Sequence, residues 1–140
     1  MGINMTHAKP AVSLGYTIIY VPDVEASLTF FEQVFGLKRK FIVPTGDYGE
    51  LDTGSTTLSF AAHALGESHF PRGFVKASES ATPLGMEIAL VTQDVAAVHA
   101  HAIKCGATEL CVPETKPWGQ TVSYVRAPDG TLIELCSPIA

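Results

Sequence analysis

Charge is scarce in this chain and uneven in sign: Asp, Glu, Lys and Arg make up only 16% of 140 residues, with a net charge of −5. A chain short of lysine and arginine gives a phosphate backbone or an anionic lipid surface little to hold, which speaks against nucleic-acid and membrane partners. Long apolar runs are also missing, since no stretch approaches the roughly 18 consecutive apolar residues of a spanning helix. The opening MGINMTHAKPAVS has neither the apolar centre nor the small-residue cleavage site of a secretion signal, so a cytoplasmic protein is expected. Cysteine is sparse and odd in number. Cys105, Cys111 and Cys136 stand at no metal-site or redox spacing and read as free thiols in a reducing compartment.

What is plentiful is apolar: 46% of the residues are hydrophobic, enough for a real core in one domain. After a polar tail over 1–12, YTIIYV has the β-branched and aromatic richness of a strand. Asp23 then stands as a helix N-cap; Val24, Leu28, Phe31 and Phe35 recur at helical spacing, and Gly36 follows as the C-terminal stop. KRKFIV, YGELDT and TTLSFAA read as three further strands. The plan then repeats: MEIALV as a strand, Asp94 as N-cap, VAAVHAHAIKC as a helix closed by Gly106, and TELCVP, QTVSYVRA and GTLIELC as strands. Tyr16 precedes Asp23 by the same interval as Glu87 precedes Asp94. The expected fold is therefore α+β, with two tandem βαβββ modules over 13–62 and 84–140 forming one cupped, incompletely closed mixed sheet with its helices outside. The connector over 63–83 is long for a plain loop and is expected to fold over something.

Strand alternation sorts the side chains between two faces. Ile133 and Leu135 suit the helix-covered side, which turns Glu134 the other way with Leu132 and Cys136. The same argument puts Met86, Ile88 and Leu90 under the helix and Glu87 opposite. It places Leu58 and Phe60 under the helix with Thr57, Ser59 and Ala61 opposite, and sets Tyr16, Ile18 and Tyr20 on the helix-free face. That face gathers two carboxylates, two tyrosines, a serine and small residues, a composition suited to a pocket.

YVPDVEASLTFFEQVFGL and PWGQTVSYVRAPDGTLIEL are similar to the opening strand–helix–glycine unit and the closing hairpin of the vicinal oxygen chelate superfamily. This superfamily comprises the glyoxalases, extradiol dioxygenases, and fosfomycin- and bleomycin-resistance proteins. The resemblance runs from about Ser13 to Pro138 and is closest in character to the bleomycin-resistance-like members. It implies ligand positions on the first and last strand of each module, which fall here on Tyr16, Ser59, Glu87 and Glu134. Glyoxalase-like members place His or Gln, Glu, His and Glu there; this chain keeps the last glutamate, has glutamate for the second-module histidine, and has neither first-module ligand.

Three readings of Glu134 stand beside one another. With Glu87 it holds a divalent metal, completed by water. In a metal-free pocket the two share a proton or meet a cationic ligand, because like charges held close push one pKa upward. As a structural pair, each glutamate meets a backbone N–H or an arginine, with Arg126 the candidate. The resemblance favours a metal-free binder of a small organic ligand, working by sequestration as a homodimer. Tyr16, Tyr20 and Trp118 would supply stacking, Ser59 polar contact, and Glu87 with Glu134 the acidic patch. The alternative is a metal-dependent glyoxalase- or dioxygenase-like enzyme with Glu87 and Glu134 as ligands, its other donors drawn from His63 and His69 in the connector or from a second subunit. His99 and His101 face different ways on their helix, away from the pocket, and His99 reads as a core-boundary residue. Phe70, Arg72 and Phe74 would cap the pocket or fill a dimer contact, and Cys136 lacks a base to make it a nucleophile.

Overall fold

The computed structural model describes residues 9–139; most of the tail expected over 1–12 lies outside them. The elements are β1 (Tyr16–Val21), α1 (Val24–Phe35), β2 (Lys38–Ile42), β3 (Tyr48–Asp52), β4 (Thr57–Ala62), α2 (His63–His69), a 3₁₀ turn (Ala77–Glu79), β5 (Glu87–Val91), α3 (Val95–Lys104), β6 (Thr108–Thr115), β7 (Thr121–Arg126) and β8 (Leu132–Cys136). They form two four-stranded mixed sheets of matching order, β1-β4-β3-β2 and β5-β8-β7-β6. Each sheet pairs its first and last strands in parallel and the rest as antiparallel neighbours. The α+β repeat read from the spacing is thus the fold.

The helix boundaries follow from local chemistry. The side chains of Asp23 and Asp94 each accept from the backbone N–H three residues on, at 3.1 Å, satisfying a donor that the first helical turn leaves free. Gly36 ends α1 at φ 68°, a left-handed conformation that favours glycine. Val24, Leu28 and Phe31 turn inward from α1 and meet Leu51, Leu58 and Phe60; Val95 and Ala102 turn inward from α3 toward Val125, Ile133 and Leu135. These residues share one core, and α1 and α3 touch, so both helices cover the same side.

No ladder joins β1 to β5 among the described residues, but the two strands line common cavities. Ile18–Tyr20 share one cavity with Met86 and Ile88, and Thr17 shares another with Glu87–Leu90. Ser27 on α1 donates 2.6 Å to Asp129 in the β7–β8 turn, a second tie between the modules.

The structure departs from the sequence reading in three places. HALGESH in the connector is a helix, held by packing rather than by a cap, since Ala62 supplies no side-chain bond. β6 runs two residues past TELCVP, to Thr115. Met86 is not under the helix: it precedes β5, is 65% exposed, and lines the cavity beside β1, whereas Ile88 and Leu90 do pack against the core.

Candidate functional site

The inner, helix-free side carries the polar groups that alternation assigned to it. On the second sheet, Glu134 stands between β5 and β7, in register with Ala89 on one side and Tyr124 on the other. The Tyr124 hydroxyl donates to Glu134 Oε1 at 3.1 Å. The Glu87 carboxyl also hydrogen-bonds Glu134, and this bond, followed by burial and the neighbouring negative charge, pushes the Glu87 pKa up to about 7. Burial first, then the bond to Glu134, pushes the Tyr124 phenol up to about 12, so it remains a donor at any physiological pH. Burial also raises the Cys136 thiol, which lies 3.7 Å from the Leu90 carbonyl; a thiol held neutral is a poor nucleophile.

The expectation that Arg126 neutralises a glutamate is overturned. Arg126 sits at the end of β7 and turns outward along the connector, donating to the carbonyls of Ala77 and Ser80 at 2.8 Å each and of Gly130 at 3.3 Å. Among the described residues, neither Glu87 nor Glu134 has a lysine, arginine or histidine in ion-pair range.

The first sheet carries a separate polar cluster. Glu50, only 7% exposed, faces Ser59 in register. The Tyr48 hydroxyl donates to Glu50 at 2.7 Å and lies 3.0 Å from the Ser59 hydroxyl, while Lys40 stands 3.7 Å from the other Glu50 oxygen. Ser59 is completely buried in this arrangement, engaged by its own sheet. Burial, then the bond to Glu50, raises the Tyr48 phenol. Tyr48, Glu50 and Tyr124 were not singled out from the sequence. Pairing YGELDT against TTLSFAA, and QTVSYVRA against GTLIELC, as hairpins would have placed them on the pocket side.

The aromatic residues divide. Tyr16 is 58% exposed at the start of β1. Trp118 is 65% exposed on the β6–β7 turn, its indole N–H bonded to Gln120 at 2.9 Å. Tyr20 is engaged internally: Phe74 lies against its ring at 5.0 Å and Phe70 at 6.1 Å, the connector folding over this end of the sheet. His63 packs beside Phe74, and its buried Nε2 has no hydrogen-bond partner among the described residues; His69 is exposed. His99 is buried on the helix side, between Ser123 at 2.9 Å and Glu109 at 2.7 Å.

A structural or catalytic transition metal takes three or four good donors, commonly imidazoles and carboxylates. The donor set here does not fit such an ion: two carboxyls bonded to each other, one phenol that keeps its proton, and no imidazole. No group of three or more His, Cys, Asp or Glu suited to a metal occurs among the described residues. The arrangement can accept hydrogen bonds and hold one positive charge. Likewise, no helix among the described residues is long and apolar enough to cross a membrane.

Residues 13–135 match the family model described as Glyoxalase/Bleomycin resistance protein/Dioxygenase superfamily. The chain is 33% identical over 126 residues to the uncharacterized protein YwbC of Bacillus subtilis, covering 89% of this chain and 96% of that protein. Its fold is similar to that of a glyoxalase-related enzyme from Fulvimarina pelagi, with TM-score 0.76, 19% identity, and coverage of 91% of this chain and 89% of the other. It is also similar to that of a glyoxalase/bleomycin resistance protein/dioxygenase family enzyme from Burkholderia phytofirmans, with TM-score 0.70, 22% identity, and coverage of 92% and 100%.

Proposed function

The chain belongs to the Glyoxalase/Bleomycin resistance protein/Dioxygenase superfamily, and from that premise we propose that it binds a small organic ligand at Glu87 and Glu134, without a resident metal, by sequestration. One observation carries this reading: the two carboxyls bond to each other with no cation in range among the described residues, so a ligand would supply the compensating charge or donor. Glu87 is exposed and Glu134 half-buried; a half-buried carboxylate is costly unless paired, and a basic or hydrogen-bond-donating group on the ligand is the natural partner. Tyr16 and Trp118 present exposed ring faces on which a planar ligand would stack. We also infer a homodimer, supported by the exposed apolar side chains of Leu110 and Val112 on the edge strand β6; sedimentation equilibrium tests it, and a monomer at micromolar concentration would refute it.

The decisive experiment measures metal content after dialysis against nickel, zinc, manganese and iron, alongside a thermal-shift screen with cationic planar compounds. A ligand that binds only the native state raises its stability, and Glu134→Gln should remove that rise. Near one equivalent of metal, lost in Glu134→Ala, would replace this reading with a metal-dependent enzyme of the glyoxalase or dioxygenase type.

A further inference from the structure

A cavity of about 170 Å³ lies between β1 and β5, with Leu132, the register partner of Glu87, on its wall. Ile18, Tyr20, Phe74, Leu84, Met86 and Leu132 are among its walls, and most of the lining is apolar, with Thr131 at one side. Ile18, Leu84 and Met86 are exposed despite being large and hydrophobic, and Val75 joins them at the edge. A cluster of exposed apolar side chains around a concavity marks a surface that something covers. The relation to the glutamates is fixed by register. Leu132 pairs with Glu87 across the β5–β8 ladder, and Glu134 follows Leu132 by two residues on the same face, about 7 Å along the strand.

Resting on the binding function proposed above, we propose that this cavity seats an aromatic ring of benzene size on the ligand. The ligand is then an arylalkyl amine, its ring between β1 and β5 and its ammonium group a short linker away at Glu87 and Glu134. The size argument is direct, because an apolar protein cavity of about 150 Å³ holds one benzene. The lining decides the chemistry: it is mostly hydrocarbon and includes no charged side chain, so a second charged group on the ligand has no place there. Phe74 from the connector and Leu84 just before β5 become the specificity-determining residues, since they close the cavity without belonging to either sheet.

The test is calorimetric titration of the full chain with 2-phenylethylamine, ethylamine, 2-phenylethanol and 3-phenylpropanoate. A ring adds several buried carbons at about fourfold each, so 2-phenylethylamine should bind at least a hundredfold more tightly than ethylamine. Leu84→Trp, which fills the cavity from a partly exposed position, should erase that preference. Glu134→Gln should instead bring the amine down to the level of the alcohol. Equal affinity for 2-phenylethylamine and ethylamine would overturn the cavity assignment while leaving the acidic site standing. Equal affinity for the amine, alcohol and carboxylate would overturn the acidic site itself, as would one equivalent of bound metal that depends on Glu134.

Discussion

Ser27 and Asp129, 102 residues apart in sequence, meet through a 2.6 Å hydrogen bond that is buried at both ends. The same carboxylate accepts from the Thr131 backbone N–H at 2.9 Å and the Thr131 hydroxyl at 2.7 Å, shaping the turn that leads into β8. Glu134 therefore enters its sheet from a turn that is locked to the helix of the other module. Hydrogen bonds to charged groups contribute about 1.5–3 kcal/mol, so Ser27→Ala should lower the unfolding free energy by that amount, read from urea melts. Asp129→Ala should cost more, because it strands three donors instead of one acceptor site. A Ser27→Ala melt superposable on the parent would show that the link carries no stability.

The Glu87 carboxyl sets a pH dependence whose sign is opposite to that of an ordinary salt-bridged glutamate. Its folded pKa, about 7, lies above the unfolded value, so the native state holds the proton more tightly than the unfolded chain does. The resulting stability is fully present below an unfolded pKa of about 4.3 and is lost as pH rises through about 7. Urea melts at pH 5 and pH 8 should therefore show a more stable protein at pH 5. Glu87→Gln keeps a donor for Glu134 but has no proton to release, so its difference between the two pH values should shrink. An unchanged difference in the variant would assign the effect to another group.

Tyr124 should tune that proton uptake. Its hydroxyl donates to Glu134, which favours the charged carboxylate. Tyr124→Phe removes the donor, so the carboxyl pair should take up its proton at higher pH, visible in carbon-13 carboxyl shifts. A titration that stays in place or moves downward would mean the 3.1 Å contact has no electrostatic consequence.

The alternation of Ile133, Glu134 and Leu135 was legible because one face of β8 is wholly buried, and a strand with one buried face fixes the other. The repeat, the two aspartate caps and Gly36 were legible for the same reason: each is a local signal. Arg126 was misjudged because its outlet depends on the connector, whose carbonyls come from 46 and 49 residues away. Tyr48, Glu50 and Tyr124 were not legible in single strands because their facing partners are set by the β3–β4 and β7–β8 hairpin registers. The α2 helix was invisible for a related reason. Gly66 sits where a Cβ would meet the rings of Phe74 and Tyr20 at 2.8 and 2.9 Å, so tertiary packing rather than propensity holds HALGESH in place.

Arg126 should govern how firmly the connector is held. Its guanidinium grips Ala77 and Ser80 while Gly130, at φ 94°, lets the 3₁₀ turn lie directly on the β7–β8 turn. A Cβ at Gly130 would run into the Ala77 carbonyl, and the left-handed backbone there is strained for any other residue. Arg126→Ala and Gly130→Ala should both speed tryptic cleavage after Lys76 several-fold while leaving the sheets folded by circular dichroism. Cleavage at the parent rate would show that the strap is held by Phe74 and Tyr20 alone.

His63 supplies a test in the opposite direction, a substitution expected to stabilise. Its Nε2 is buried without a hydrogen-bond partner among the described residues, beside the Phe74 ring. An unsatisfied buried polar group costs about 1–3 kcal/mol, and an apolar residue of similar size removes that cost while keeping the contact with Phe74. His63→Leu should therefore raise the unfolding free energy by about 1 kcal/mol in urea melts. The gain should be independent of Glu134→Gln, because distant sites with no shared partner add. A loss of stability in His63→Leu would mean that Nε2 is satisfied in solution, and would make this end of the sheet, under Phe70 and Phe74, a polar site in its own right.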